Sequence, residues 1–268
     1  MLRCPKCQKR IIKDGKRYVC SNNHSYDIAK QGYVNLILAN QKSSDNAGDN
    51  IESLNARERF LNSHYFKPLA DCLTSLVNSY LDNGNSFLDA GCGTGYYLKQ
   101  IIKGCEKELS YYAVDISKKG VMMTSRKCKQ AICFVGNVFR LPFEEGSLDG
   151  AMSVFCPYSA EEFARAIKKG GYLFMVTPGK EHLFQLKEIV YETPYLNVEK
   201  GYKLEQFESV EQFNIKYTMS LNSNEDILSL WRMMPYYHTS SKRDNVKLEN
   251  LNSIDCVADF LVSVYKRC

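Results

Sequence analysis

The sequence predicts a doubly wound α/β domain on a mostly parallel sheet, with a small metal-stapled unit in front of it. Three observations carry that expectation. From Phe87 to Thr177, apolar runs of strand length alternate with stretches of helical spacing. One run leads into a glycine-rich turn, Asp89-Ala90-Gly91-Cys92-Gly93-Thr94-Gly95, that opens a helix. The first 24 residues carry two short cysteine and histidine knuckles.

The 268 residues suffice for one sizeable α/β domain plus an appendage. With 44% hydrophobic and 24% charged residues, the composition is that of an ordinary soluble globular protein. No apolar run approaches the length of a membrane span, so no membrane partner is expected. Met1 to Lys6 shows no apolar signal segment, which predicts a cytoplasmic protein. Eleven cysteines in such a chain point to reduced thiols and metal ligation rather than a disulfide framework. The net charge is +5, and residues 1–24 hold seven basic residues against one acid, Asp14. The rest holds 28 basic and 29 acidic residues, so the whole positive excess sits at the front and favours a polyanionic partner.

In the N-terminal unit, Cys4 and Cys7 form a C-x2-C knuckle, and Cys20 with His24 forms a C-x3-H knuckle. Three thiolates and one imidazole close a tetrahedral Zn²⁺ shell, leaving no position for water, so the zinc is expected to be structural. Ile11-Ile12 and Arg17-Tyr18-Val19 read as two strands around a turn at Asp14-Gly15. Lysines and arginines interleaved with Tyr18, Tyr26 and Tyr33 suit RNA, with a merely solvated hairpin as the alternative. Ser25 to Leu38 should give a turn and a strand. The polar stretch around residues 40–50 marks the boundary and is a linker or a lid. The expected domains are 1–36 for zinc and RNA recognition, 37–52 for the linker or lid, and 53–268 for the catalytic part.

Two helices are expected from Ile51 to about Leu81, with Pro68 in the first turn of the second. Tyr65, at their joint, either reaches the cofactor or caps the core. The glycine turn is not the dinucleotide G-x-G-x-x-G pattern: its spacing is G-x-G-x-G, led by an acid. A carboxylate at Asp89 repels a pyrophosphate but suits S-adenosylmethionine (SAM), which has an ammonium group and a sulfonium. Asp115 ends the next strand, twenty residues after Gly95, where a carboxylate receives ribose hydroxyls. Asn137, after strand Ala131–Val135, is placed to read an adenine edge. A Rossmann-like class I SAM-dependent methyltransferase domain follows, with Gly91, Gly93 and Gly95 as its cradle. Strands Leu148–Phe155 and Tyr172–Thr177 continue the sheet around a helix from Ala160 to Lys168. Strand Phe207–Leu221, helix Ile227–Met234 and strand Val257–Lys266 complete the chain, the last as an antiparallel edge strand.

The chain resembles the RlmA/RrmA family of 23S rRNA (guanine-N1)-methyltransferases over almost its whole length. The likeness rests on the zinc knuckles joined to Gly32-Tyr33-Val34-Asn35-Leu36, on Arg57, His64-Tyr65 and Leu141-Pro142-Phe143, and on Thr177-Pro178-Gly179-x-x-His182-Leu183. The glycine loop is common to SAM methyltransferases and does not single out the family. The resemblance implies zinc on Cys4, Cys7, Cys20 and His24. It implies SAM contacts at Tyr65, Gly93, Thr94 and His182, a guanine in a hairpin loop of 23S rRNA as target, and a homodimer.

Methylating guanine N1 requires loss of its proton and exposure of its Watson–Crick edge. Asp149, Tyr158, Glu161 and His182 are candidates near the pocket. Asp149 lies early in its strand, Tyr158 is a stacking platform or a core residue, and no general base is assigned. The competing readings are a small-molecule or protein methyltransferase with a purely structural zinc unit, and a non-catalytic zinc RNA-binding protein.

Overall fold

The computed structural model describes residues 2–38, 48, 50–199 and 204–268. The N-terminal unit is a three-stranded antiparallel sheet of β1 (Ile11–Asp14), β2 (Arg17–Cys20) and β3 (Ser25–Asp27). Gly15 takes φ +59° in the β1–β2 turn, a left-handed conformation that glycine adopts without penalty. β4 (Tyr33–Asn35) leaves this unit and pairs in parallel with β7 (Ala131–Val135) in the large sheet. Of the segment read as linker or lid, residues 39–47 and 49 lie outside the described residues.

Two helices precede the catalytic sheet. Asn50 caps α1 (Ile51–Asn62) by accepting from the Ser53 N–H, and Pro68 sits in the first turn of α2 (Lys67–Tyr80). The large sheet then takes β5 (Ser86–Ala90), α3 (Tyr96–Gly104), β6 (Ser110–Asp115), α4 (Lys118–Lys127), β7, β8 (Leu148–Val154), α5 (Ala160–Ala166) and β9 (Ile167–Pro178) in turn. Its strand order is β10-β11-β9-β8-β5-β6-β7-β4, with β10 (Phe207–Leu221) and β11 (Ile254–Arg267) as a long antiparallel pair. β5 is buried along its whole length, as a central parallel strand must be. The order reverses between β5 and β8, which opens a crevice at their C-terminal ends. Among the described residues four further helices follow: α6 (Phe184–Val190) against β11, α7 (Asn224–Arg232) against β10, then α8 (Pro235–Thr239) and α9 (Lys242–Val246).

Two expectations are corrected. The last strand is not at the edge: β11 lies between β9 and β10, and its last twelve residues are mostly buried, whereas β10 alternates exposed and half-buried residues. The helix before β9 stops at Ala166 rather than Lys168, and the strand begins at Ile167. Ile167 is already extended and pairs with Leu148, and farther along a Cβ on Gly171 would lie 2.6 Å from the Asp149 carbonyl oxygen. The β8 and β9 backbones touch at that point, and the register shifts beside it between Leu148 and Gly150.

Two apolar clusters fill the two faces of the sheet. One joins α1, α2, α3 and the C-terminal helices. The other runs from Phe134, Phe143 and Phe163 into Leu2, Cys4, Ile11 and Tyr18 of the N-terminal unit. Among the described residues no helix is long and apolar enough to cross a membrane.

Candidate functional site: a thiolate–imidazole cluster and a glycine-lined cleft

The two knuckles converge. The ligand atoms of Cys4, Cys7, Cys20 and His24 all lie within 4.8 Å of one another. His24 Nδ1 is 3.4 Å from both Cys4 Sγ and Cys20 Sγ, and the Cys7 and Cys20 sulfurs are 3.7 Å apart. A tetrahedral ion at about 2.3 Å from sulfur and about 2.0–2.1 Å from nitrogen sets these edges at about 3.8 Å and about 3.6 Å. Those three edges lie close to the tetrahedral values, and three thiols with one imidazole are the donor set of a structural zinc, so zinc fits the site. Gln8, just past the first knuckle, and Asn23, inside the second, take left-handed conformations that turn the chain around the site. Burial raises the Cys4 thiol, but hydrogen bonds led by the Tyr26 hydroxyl, 3.0 Å away, outweigh it and bring the group down to about 6. A ready thiolate held by an outer hydrogen bond suits a metal ligand.

The zinc unit docks on the catalytic part through residues 141–143. Arg3 N–H donates to the Pro142 carbonyl at 3.0 Å, Leu2 bridges to Phe143, and the Arg3 guanidinium pairs with Glu162 at 3.3 Å. Tyr18 meets Phe134 edge to face. The basic hairpin is thus fixed relative to the sheet by buried contacts.

The glycine loop follows β5. Gly91, Gly93 and Gly95 take φ of +81°, +50° and +76°, which side chains rarely adopt. The Asp115 carboxylate accepts from the Gly93 N–H at 2.8 Å and from the Ser117 N–H at 2.7 Å, tying the end of β6 to the loop. Asp89 is 4% exposed, and burial, followed by the charge of Asp115, pushes it up to about 8. A carboxyl in that state gains most from a neighbouring cation. The Thr94 hydroxyl is buried with no hydrogen-bond partner among the described residues. An unsatisfied hydroxyl inside a positive-φ turn is what a cradle awaiting a polar ligand presents. The loop thus fits SAM.

The remaining expected contacts are spread around this edge. The Asn137 side-chain oxygen accepts from the Phe139 N–H at 2.9 Å, forming a turn after β7. The Tyr65 hydroxyl donates to Asp226 at 3.1 Å, and its ring stacks on Phe60. His182 is 2% exposed, boxed in by Phe66, Phe155 and Phe260. Its Nδ1 accepts from the Asp259 N–H at 3.3 Å, which leaves the ring proton on Nε2. Burial depresses the ring to about 3, so it is neutral at physiological pH. Asn197 braces this turn by donating to the Gly179 and His182 carbonyls, and wholly buried Lys187 donates to Asn197 at 2.6 Å.

Among the candidate bases, Asp149 starts β8, far from the crevice, and its ion pair with Lys168 and bonds to Ser86 outweigh burial and hold it below the usual carboxylate range. Glu161 lies in the first turn of α5 and accepts from the Ser159 hydroxyl. Tyr158 packs against the second apolar cluster.

Three residues at the crevice carried no functional reading in the sequence. Cys156 crosses from the end of β8 so closely that a Cβ on Gly91 would lie 2.2 Å from its sulfur. Arg57 of α1 reaches the loop, with Nη1 3.3 Å from the Cβ position of Gly93. Phe155 is left-handed at φ +53° and 40% exposed. The aromatic preceding Cys156-Pro157-Tyr158 was the only signal in the sequence for Phe155.

Fold and cleft together define a class I SAM-dependent methyltransferase that carries a zinc-binding ribbon. The N-terminal zinc-ribbon model of the RlmA family matches residues 2–45, and a methyltransferase-domain model matches residues 88–175. The chain is 30% identical over 228 residues to the 23S rRNA (guanine(748)-N(1))-methyltransferase of Streptomyces fradiae, covering 82% of this chain and 80% of that protein. It is 28% identical over 271 residues to Bacillus subtilis YxjB, named as a candidate 23S rRNA (guanine-N(1)-)-methyltransferase, covering 97% and 94% respectively. The crystal structure of the MccD protein shares the fold with a TM-score of 0.50 at 17% identity, covering 75% of this chain and 98% of that one. The chain belongs to the 23S rRNA (guanine-N(1))-methyltransferase family.

Proposed function

We propose that this chain transfers the methyl group of SAM to N1 of a guanine in a hairpin loop of 23S rRNA. The observation that carries the reading is the union of a Cys3His cluster, on a basic hairpin, with the glycine-lined crevice, docked through a shared core. The names of the relatives support the substrate.

When bound, SAM supplies an electrophilic methyl group, and the residues of this chain present it. In this reading Gly91, Gly93, Thr94 and Gly95 cradle the amino-acid end, and Asp89 offers a carboxyl to its cationic groups. Arg57 stands beside Gly93 to receive the carboxylate. Asp115 holds ribose hydroxyls and Asn137 the adenine edge. Tyr65 and the Nε2–H of His182 complete the contacts. His182, neutral and with Nδ1 already occupied, orients rather than removes a proton. Alignment of N1 with the methyl group then supplies much of the rate.

Cys4, Cys7, Cys20 and His24 hold a structural zinc, and the residues around them grip RNA phosphates. The division of labour places RNA recognition in 1–36 and methyl transfer in 53–268, with β4 lashing the first part to the second. Eleven cysteines with no disulfide among them, three of them assigned to zinc, suit the reducing cytoplasm. A homodimer is the expected assembly, and sedimentation of the purified chain checks it.

The functional test is incubation of the zinc-loaded protein with methyl-labelled SAM and protein-free 23S rRNA. Label should appear in RNA as N1-methylguanosine. Label in proteins or small metabolites, with none in RNA, would overturn the reading and favour a zinc unit that is purely structural.

A further inference from the structure

Phe155 stands out among the exposed aromatics. A non-glycine residue with a bulky side chain at φ +53° is strained, and such strain persists only where the surroundings enforce it. Here the enforcement is visible. The Phe155 N–H donates to the Val176 carbonyl at 3.0 Å, and the next residue, Cys156, is wedged against Gly91. The turn throws the phenyl ring out of the sheet at the one place where the strand order reverses, between β5 and β8.

The ring is backed rather than loose. It lies nearly parallel to His182, with centroids 6.2 Å apart at 23°, and meets Phe260 at 5.7 Å. Yet it remains 40% exposed. A hydrocarbon ring held from behind, beside the loop that cradles the cofactor, offers a flat apolar face and no hydrogen bond. The ligand chemistry that fits is a planar heterocycle whose polar edge must stay free to react. Phe139 is also exposed, but it follows β7, three strands away from β8, or about 14 Å at ordinary strand spacing.

We propose that Phe155 is the platform on which the target guanine stacks, holding the base plane so that N1 faces the methyl group. The inference rests on the functional reading above and deepens it: the platform fixes the plane, and base identity is read elsewhere.

The test uses the zinc-loaded full chain, an unmodified 23S rRNA transcript, and the variants Phe155→Leu, Phe155→Tyr and Phe155→Trp. Loss of the ring should lower kcat/KM for RNA by about 5- to 150-fold, the range for stacking one base on an aromatic side chain. The SAM Kd of Phe155→Leu should stay within about twofold of wild type, and Phe155→Tyr should restore most of the activity. Phe155→Trp adds a second readout: Trp231, the single native tryptophan, is buried, so an indole at 155 should be quenched selectively by guanine-containing RNA. Wild-type methylation with an unimpaired Phe155→Leu variant would overturn the platform alone. A wild-type chain that leaves 23S rRNA unmethylated would overturn the functional reading, and the platform with it.

Discussion

Gly91→Ala probes the contact that builds the crevice. The substitution has two separable effects. At φ +81° an L-residue pays about 1–2 kcal/mol for the left-handed backbone. The new Cβ would lie 2.2 Å from Cys156 Sγ and 2.6 Å from its Cβ, so β8 and the glycine loop must part, an overpacking term of about 1–3 kcal/mol. The chain should lose about 2–5 kcal/mol in urea unfolding, and SAM binding by calorimetry should weaken because the loop has moved. Among the described residues, Gly91's chain neighbours aside, only Cys156 atoms lie within 4 Å of that Cβ position. In a Cys156→Gly background, Gly91→Ala should therefore cost only the backbone term, about 1–2 kcal/mol. The difference between backgrounds is the coupling energy of a double-mutant cycle. A Gly91→Ala chain within about 0.5 kcal/mol of wild type, or a cost identical in both backgrounds, would refute the close approach of β5 and β8 loops.

Further expectations concern metal, charge and pH. Cys20→Ser, or strong chelation, should abolish the one bound zinc per chain measured by mass spectrometry and lower RNA affinity, while the SAM Kd changes little, since the cluster lies outside the cradle. Replacing Lys9, Arg10, Lys16 and Arg17 with alanine should weaken RNA binding and flatten its salt dependence, by about 0.7 in the log–log slope per lost phosphate contact; an unchanged slope would make the hairpin ordinary surface. His182 has a folded-state pKa depressed to about 3, below its unfolded value, so its contribution is present above about pH 6.5 and lost as pH falls. The wild type should lose about 2 kcal/mol relative to His182→Gln between about pH 6.5 and pH 5, since one proton is worth about 1.4 kcal/mol per pH unit. Parallel pH profiles for the two chains would contradict a neutral, buried His182.

The zinc ligands were legible because metal chelation needs fixed residue types at short, local spacing, as in Cys4-x2-Cys7. The parallel strands were legible because both faces are covered and the runs are largely apolar, as in Ala131–Val135. Strand order was less so. Near-continuous apolarity in Phe260–Tyr265 belongs to an interior strand and the regular alternation of Phe207–Leu221 to an edge, and that contrast could have placed β11. What no local pattern could supply was contact between distant segments. The sulfur of Cys156 lies against Gly91, the guanidinium of Arg57 reaches Gly93, and the left-handed turn at Phe155 depends on the Val176 carbonyl of a neighbouring strand.

The most direct measurement is mass mapping of 23S rRNA nucleosides from cells that lack the gene and from the same cells with it restored. One guanine-containing fragment should be heavier by a single methyl group, on N1, only when the protein is present. Identical maps from both strains would contradict the assignment of this cleft to rRNA.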